Sequence, residues 1–371
     1  MIGYMKLGVI FISIFFDLLL YMPKTKKTKK TKTKKITVIG QGTFGCVHKP
    51  SLLCENTSIS EPNTVSKILL DDDAHIEQKE YTNIAKIDPK KYTYLGNPTT
   101  CKVRKTRKNI DAIKKCKNGD DMAKQLSHYS LLIMPDGGDN LATWADKQSQ
   151  STKEIQLFWK NAIIILESIQ LYLSKGYIHH DLKPQNIVIS NKNVIRIIDF
   201  GKMRTEKDVM GRIGKGSVKS HWSYPVEFPF LTEDGYDYIK THTILGIDEL
   251  NTKFSKFKTN YQGAQKYICD DDSELKNKMW NAVISLTKQI HDGVLPRDEL
   301  IKKTIQTIDI YGAGISYLYV LYIVRNKMPN AVVNEFSSLF YDMVTPNVID
   351  RINIEQALKR YRMILQIYNV K

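Results

Sequence analysis

With 371 residues, 42% of them apolar and 25% charged, the chain is long enough for two lobes, each with its own core, and too apolar to be disordered. Its net charge of +16 overstates the basicity of the body, because eight Lys fall between Lys24 and Lys35 in KTKKTKKTKTKK; the remainder is only moderately basic, which argues against nucleic acid as the main partner. The five Cys are odd in number and form no C-x-x-C pair, which argues against a disulfide framework or structural zinc site and for a reducing compartment.

Residues 1–22, MIGYMKLGVIFISIFFDLLLYM, are mostly apolar. The uninterrupted run, Leu7 to Phe16, falls short of the about 20 residues a spanning helix needs. Continuing to Met22 buries Asp17, which is costly in a bilayer. Three readings stand open: a signal-anchor, translation starting at Met22, or a cleaved signal peptide lacking a small-residue cleavage site. An anchor would keep the Lys cluster, and everything after it, facing the cytosol. Both leading readings leave residues 36–371 where ATP is. The Lys/Thr tract reads as a solvated linker, or as a polybasic patch on anionic lipid or nucleic acid; on lipid, residues 1–35 would be a membrane contact.

After residue 35, KITVIGQGTFGCVHK reads as strand, glycine turn, strand, and TVSKILL as another strand. DDAHIEQKEYTNIAKI has helical spacing, with Ile76, Tyr81, Ile84 and Ile87 on one side. The basic, Cys-containing stretch 102–117 reads as a loop insertion. YSLLIMPDGGDNL is a buried strand running into a glycine turn, Glu154 to Ser174 a long buried helix, and NVIRIIDFG a strand and turn. Beyond residue 300 the chain is mainly helical. A β-rich first third before a helical remainder gives an α+β, two-lobed body with a cleft between the lobes.

The chemistry sits in four places. Gly40-Gln41-Gly42-Thr43-Phe44-Gly45 is G-x-G-x-x-G, which lets backbone N–H groups approach phosphates. A dinucleotide fingerprint needs a helix next. CVHKP is β-like and ends at Pro50, so the glycines belong to a flap between strands. Lys67 lies in an apolar strand and is either a solvent-facing edge residue or a phosphate-gripping cation. In the second case it needs a carboxylate, for which Glu80 is the first candidate and Glu77, one turn earlier, the second. Asp181, Lys183 and Asn186 in YIHHDLKPQNIVI can orient a hydroxyl nucleophile, neutralise a moving phosphoryl group and supply a metal-ligand oxygen. Asp199 in Asp199-Phe200-Gly201 follows a strand, where a carboxylate can hold Mg²⁺ between phosphates.

In this order and at these intervals, the elements resemble the eukaryotic-type protein kinase family, over roughly residues 36–371. YPVEF resembles the family's A-P-E segment, with Glu227 at its Glu. DIYGAG resembles the start of the buried C-lobe helix, with Asp309 in the Asp role. MVTPNVIDRI resembles the segment whose Arg, here Arg351, pairs with that Glu. Lys183 and the Glu227/Arg351 arrangement separate the chain from small-molecule kinases of the aminoglycoside type, and DLKPQN resembles the serine/threonine branch. In its Lys, Ile and Asn content the chain also looks like the divergent serine/threonine kinases of large DNA viruses.

The resemblance implies a bilobal fold, with an N-lobe at about 36–134, a C-lobe at about 139–371 and a helical insertion at about 228–308. It implies ATP and Mg²⁺ as cofactors and a protein substrate with a Ser or Thr acceptor. Ile39 through Gly45 would cover the nucleotide, and Val47, Val65 and Val188 would sandwich adenine. Residues 132–138 would form the hinge, with Met134 guarding the back pocket. Asp181 and Lys183 would be catalytic, Asn186 and Asp199 would bind metal, and Ser220 would bridge Asp181 and Lys183. His179, Phe200, Gly201, Glu227, Asp309 and Arg351 would be structural. The departures are the long intervals before Lys67 and before the hinge, the about 80 residues between Glu227 and Asp309, and His180 where the family carries Arg. That Arg answers a phosphate on the activation segment, so switching by that phosphate is not expected here. The alternatives are a catalytically silent scaffold and a membrane-tethered interaction module.

Overall fold

The computed structural model of the protein describes residues 35–371 except 43–44, 58–62, 215–220, 269–272 and 368–371. The readings for residues 1–34 and for Thr43, Phe44 and Ser220 therefore lie outside the described residues. All described elements belong to the compact unit Ile36–Lys371.

The first lobe is built on an antiparallel sheet of β1 (Thr37–Gly42), β2 (Gly45–Lys49), β3 (Thr64–Leu70), β4 (Thr99–Lys102) and β5 (Tyr129–Pro135), in the order β1-β2-β3-β5-β4. β2 alternates, with Cys46 and His48 buried on one face and Val47 half-buried on the other. β3 is buried on both faces from Val65 to Leu69, as expected of a central strand covered on two sides.

The helix α1 (Asp71–Ile87) starts directly after β3 with Asp71, Asp72 and Asp73 in its first turn, where the helix dipole favours negative charge. Its buried stripe is Ala74, Glu77, Tyr81 and Ile84, with Glu80 beside it. Ile76, expected on that side, is exposed.

The stretch 102–117 is more ordered than the loop expected. It holds α2 (Arg107–Ile113), capped by Thr106, whose hydroxyl accepts from Asn109 N–H at 3.2 Å. α3 (Gly119–Lys124) follows. The basic residues face solvent while Ala112, Ile113, Cys116 and Met122 pack on the outer face of the sheet against Ile36, Ile68 and Leu131.

The cysteine expectation is corrected here. Cys46 is bonded to Cys116 and Cys54 to Cys101. The partners are 70 and 47 residues apart, so no local spacing announces them. The fold brings them together by laying the 102–117 segment on the sheet.

The second lobe contains β6 (Asp139–Asn140), α4 (Leu141–Asp146), α5 (Thr152–Ser174), β7 (Tyr177–Ile178), β8 (Ile187–Ile189), β9 (Ile195–Ile197), β10 (Arg204–Thr205) and α6 (Glu206–Gly214). α5 opens with a capping box between Ser151 and Glu154. Then come α7 (Glu233–Thr241), α8 (Ile247–Lys253), α9 (Ser255–Ile268), α10 (Ser273–His291), α11 (Arg297–Val324), α12 (Asn330–Val344) and α13 (Ile354–Ile367). The core is strongly aromatic, with Trp159, Tyr317, Phe336, Phe340 and Tyr361 in mutual contact. Helices α7–α10 lie within residues 228–308, where Phe257 of α9 stacks on Phe230 at 5.8 Å.

α11 is longer than expected. It begins at Arg297 after Pro296, with Asp298 and Glu299 in its first turn, so Asp309 lies in mid-helix rather than at a helix start. It is long and apolar enough to cross a membrane, yet 83% of its apolar window is buried inside the lobe, so its hydropathy is that of a core helix.

Candidate active site

α11 holds the loop that follows β7. The Asp309 carboxylate accepts from the backbone N–H groups of His179 (2.6 Å) and His180 (2.9 Å). It is fully buried; burial pushes its pKa up and these two donors oppose the rise. A Cβ on Gly312 would lie 2.3 Å from Leu182 O, so only glycine lets the helix approach the loop this closely. The clamp holds His180 at φ 63°, a conformation that a non-glycine residue adopts only when its surroundings impose it. The next residue, Asp181, then projects into the cleft.

Asp181 is held from every side. Lys183 Nζ donates to Oδ2 at 3.0 Å and Lys202 Nζ to Oδ1 at 3.0 Å. Asn186 Nδ2 donates to Asp181 O at 2.8 Å and to Oδ2 at 3.1 Å. Burial pushes the Asp181 carboxyl up, and Lys183 and Lys202 more than offset it, so it is held below the ordinary range and ionised. His179 bonds to Ile198 O at 3.1 Å and meets the edge of Phe200 at 5.1 Å, which joins this loop to the Asp199 turn.

Across the cleft, Lys67 Nζ donates to Glu77 Oε2 at 2.6 Å and to Asp199 Oδ1 at 2.9 Å. The carboxylate on Lys67 is thus Glu77, not Glu80. Glu80 instead lies 3.5 Å from Arg204 and accepts from Asn83 at 3.0 Å. The reason is helical phase. Tyr81 packs on Phe200 at 5.2 Å, and the residue four positions before it points the same way. Phe200 is fully buried among Tyr81, Tyr94 and Tyr172, which fixes Asp199 at φ 65°.

The two carboxylates are shifted in opposite directions. Burial pushes both up. For Asp199 the Lys67 charge prevails and holds it at about 2. For Glu77 burial prevails, and Asp199 adds repulsion, leaving it at about 7. Burial would lower Lys67, but Asp199 and Glu77 together raise it. Among the described residues Glu77 Oε1 has no hydrogen-bond partner, whereas the Asp199 side chain keeps 39% of its surface open. Asp199 and Asn186 offer hard oxygen donors of the kind Mg²⁺ takes.

On the flap, Gly40 is paired with Val47, and Ile39 is the exposed extra residue of a bulge. Gln41, Gly42 and Gly45 complete the described part, and a Cβ on Gly45 would meet Ile68 O at 2.4 Å. Val65 is paired with Met134 across β3 and β5, and Met134 Sδ lies 3.5 Å from the Tyr81 hydroxyl of α1. A Cβ on Gly137 would meet Val188 at 2.6 Å and Leu95 at 2.9 Å, so the segment after β5 lies directly on Val188. Glu227 and Arg351 meet as expected, in a fully buried two-bonded pair at 2.8 and 2.9 Å.

Other participants were not visible in the sequence. Lys202 had only its place after the D-F-G triplet to mark it. His180 stacks on Tyr224 at 5.5 Å, and burial lowers its pKa to about 4, so it is neutral.

Residues 95–212, about a third of the chain, match the family model described as "Protein kinase domain". The chain has the fold of the protein kinase superfamily. The match begins after the flap and Lys67, so the placement of those kinase elements rests on the geometry above. Among curated relatives, the chain is 29% identical to mouse (Mus musculus) "Dual specificity protein kinase TTK" over 30% of this chain and 13% of that protein. It is 25% identical to "Maternal embryonic leucine zipper kinase" of Danio rerio over 34% and 21%. It is 28% identical to "Serine/threonine-protein kinase ssp1" of Schizosaccharomyces pombe over 26% and 16%. The chain thus spans less than a quarter of the length of these kinases.

Proposed function

We propose that the chain is an ATP- and Mg²⁺-dependent protein kinase that phosphorylates Ser and Thr hydroxyls of protein substrates. The observation that carries this is the single ammonium of Lys67 bonded at once to Glu77 and Asp199, opposite an ionised Asp181. Phosphoryl transfer asks little of a protein beyond positioning and electrostatics, and those groups supply both. Asp181 would orient the acceptor hydroxyl and take its proton. Lys183 would steady the transferred group. Lys67, fixed by Glu77, would grip the phosphates under the glycine flap. Asn186 and Asp199 would hold Mg²⁺, which neutralises phosphate charge when bound. The preference for Ser and Thr rests on Lys183 in DLKPQN and on one relative named as a serine/threonine kinase, against one named as dual specificity.

His180 bears on regulation. A neutral ring stacked on Tyr224 gives an activation-segment phosphate no cation at that position, and Arg204 is already beside Glu80. This supports a kinase competent without that phosphate. Residues 36–371 would work facing the cytosol, with residues 1–35 as a membrane contact, although the two disulfides run against the reducing compartment that this placement implies. Deleting 1–35 and following localisation tests the second point.

The test is transfer from labelled ATP with Mg²⁺ to a basic protein and to the chain itself, beside Asp199→Ala. Label on Ser or Thr that vanishes in the variant is the expected result. Nucleotide binding without transfer would favour a silent scaffold. Label on Tyr would overturn the Ser/Thr preference.

A further inference from the structure

The face of the first lobe's sheet turned away from Lys67 carries a cluster that the proposed reaction does not use. Cys46 directly follows the last flap glycine and is disulfide-bonded to Cys116 of the 102–117 insertion. Gln41 is the cross-strand partner of Cys46, and its side-chain oxygen accepts from the N–H of Lys117, next to Cys116, at 2.6 Å. One rung of the β1–β2 hairpin is therefore fastened to the insertion on both strands, once covalently and once by a hydrogen bond.

His48 lies under this rung. It is fully buried, with Nε2 3.6 Å from Cys116 Sγ, 4.0 Å from Cys46 Sγ and 3.4 Å from Ala112 O. Its Nδ1 has no side-chain hydrogen-bond partner among the described residues. Burial lowers its pKa, and the tautomer that donates to Ala112 O carries its one proton on Nε2, beside both sulfurs. A cavity of about 530 Å³ reaches the disulfide from outside. Cys46 and Cys116 lie in its wall, and Gln41, Gly42 and Lys117 form an exposed rim.

We propose that Cys46, Cys116 and His48 form a thiol–disulfide exchange site whose oxidation state fixes or frees the glycine flap. A dithiol reductant enters through the cavity. Its thiolate attacks one sulfur, the Cys46–Cys116 bond breaks, and the departing thiolate is stabilised by the His48 N–H. The reductant's second thiol resolves the mixed disulfide. Two electrons and two protons have then passed to the protein, leaving two thiols, and the reductant leaves as its own disulfide. The hairpin then has no covalent tie through Cys46 to the insertion and is held to it by the Gln41–Lys117 and His48–Ala112 hydrogen bonds and by apolar packing. Cys54–Cys101 joins the segment before β3 to the edge strand β4 and touches neither strand of the hairpin, so it is an internal control. That the freed flap would bind nucleotide differently rests on the function proposed above; the release itself does not.

The experiment is amide hydrogen exchange of residues 37–49 in the full chain without nucleotide, before and after dithiothreitol, with thiol labelling and peptide mapping. Reduction is expected to speed exchange about tenfold in the natural protein and in Cys54→Ser/Cys101→Ser, and to change nothing in Cys116→Ser, whose flap is already free. Unchanged exchange in the natural protein after Cys46 and Cys116 become labelled would overturn the proposal. So would purified protein holding both thiols reduced around one equivalent of zinc, which would make the cluster a Cys₂His metal site. Binding of an ATP analogue, measured separately, reports on the kinase reading; its failure would leave the exchange result standing.

Discussion

Two buried ion pairs built from similar parts behave differently in this molecule. Arg351 and Glu227 are joined by two parallel bonds, both side chains are fully buried, and the spare atoms are taken up by Thr304, Thr307 and the carbonyl of Thr345. Nothing is left over. Lys67 faces two carboxylates with one ammonium, Glu77 Oε1 is unpartnered among the described residues, and Asp199 stays partly open. Satisfied buried charge fixes a fold, and breaking it leaves an uncompensated ion. Incompletely satisfied charge beside a cleft waits for a ligand.

The comparison is broken most forcefully at Arg351. Arg351→Met should leave Glu227 buried without its partner and cost about 3–5 kcal/mol of stability. Urea unfolding measures it, and a loss below about 1 kcal/mol would mean the pair is not structural. Lys67→Met should do the reverse. Transfer should fall by about a hundredfold to a thousandfold, on the scale of losing one electrostatic contact in a phosphoryl-transfer site. The unfolding midpoint should stay near that of the natural protein, because Glu77, already displaced to about 7, can become neutral. A large drop in stability would make Lys67 a fold residue like Arg351.

A smaller effect separates the two glutamates of α1. Glu77→Gln removes a charged hydrogen bond to Lys67 and should lower kcat/KM about tenfold to a hundredfold. Glu80→Gln loses only a 3.5 Å contact with Arg204 and should change it less than about threefold. The opposite ranking, measured with the same peptide, would restore Glu80 as the partner.

This pair also marks where the sequence stops being legible. Lys67, Asp181, Lys183, Asn186 and Asp199 were readable because each lies in a short segment whose chemistry depends on local spacing. The flap was readable on the same ground and α5 from its long apolar pattern, whereas the Glu227/Arg351 pair, 124 residues apart, was implied only by the family resemblance. The choice between Glu77 and Glu80 depends on the rotation of α1, which is set by Tyr81 packing on Phe200 from a distant turn. Counting four back from Tyr81 finds Glu77, whereas taking the inward side from Ile84 and Ile87 favours Glu80. Lys202 reaches Asp181 only once the turn after Phe200 is folded. The cysteine pairs were unreadable for a related reason. Cys46 and Cys116 meet only when α2 lies on the outer face of the sheet, and the basic residues of 102–117 hid the few apolar ones that put it there.

A pH-dependent effect concerns His180, whose charge state sets this kinase-like loop apart from one that reads a phosphate. Burial lowers its pKa to about 4, and Lys202 adds repulsion that Asp181 only partly opposes. In the unfolded chain the same imidazole protonates near 6.5. Between those values the unfolded state binds a proton that the folded state refuses, so stability is complete above about pH 6.5 and falls as the pH is lowered. The loss approaches roughly 3 kcal/mol near pH 4 for this group alone. His221, lowered to about 4 chiefly by burial, acts in the same window and direction. Asp199, held at about 2, loses its contribution only at lower pH. Urea unfolding at several pH values between 7 and 4.5 should therefore give a shallower decline in His180→Gln than in the natural protein. The slope is the readout, because losing the stack on Tyr224 shifts the level at every pH. Equal slopes would mean that His180 titrates in the folded protein as it does in the unfolded chain, and a steeper decline in His180→Gln than in the natural protein would mean that the ring is protonated when folded. A cation would then face the activation segment after all, and a phosphate there would have something to bind.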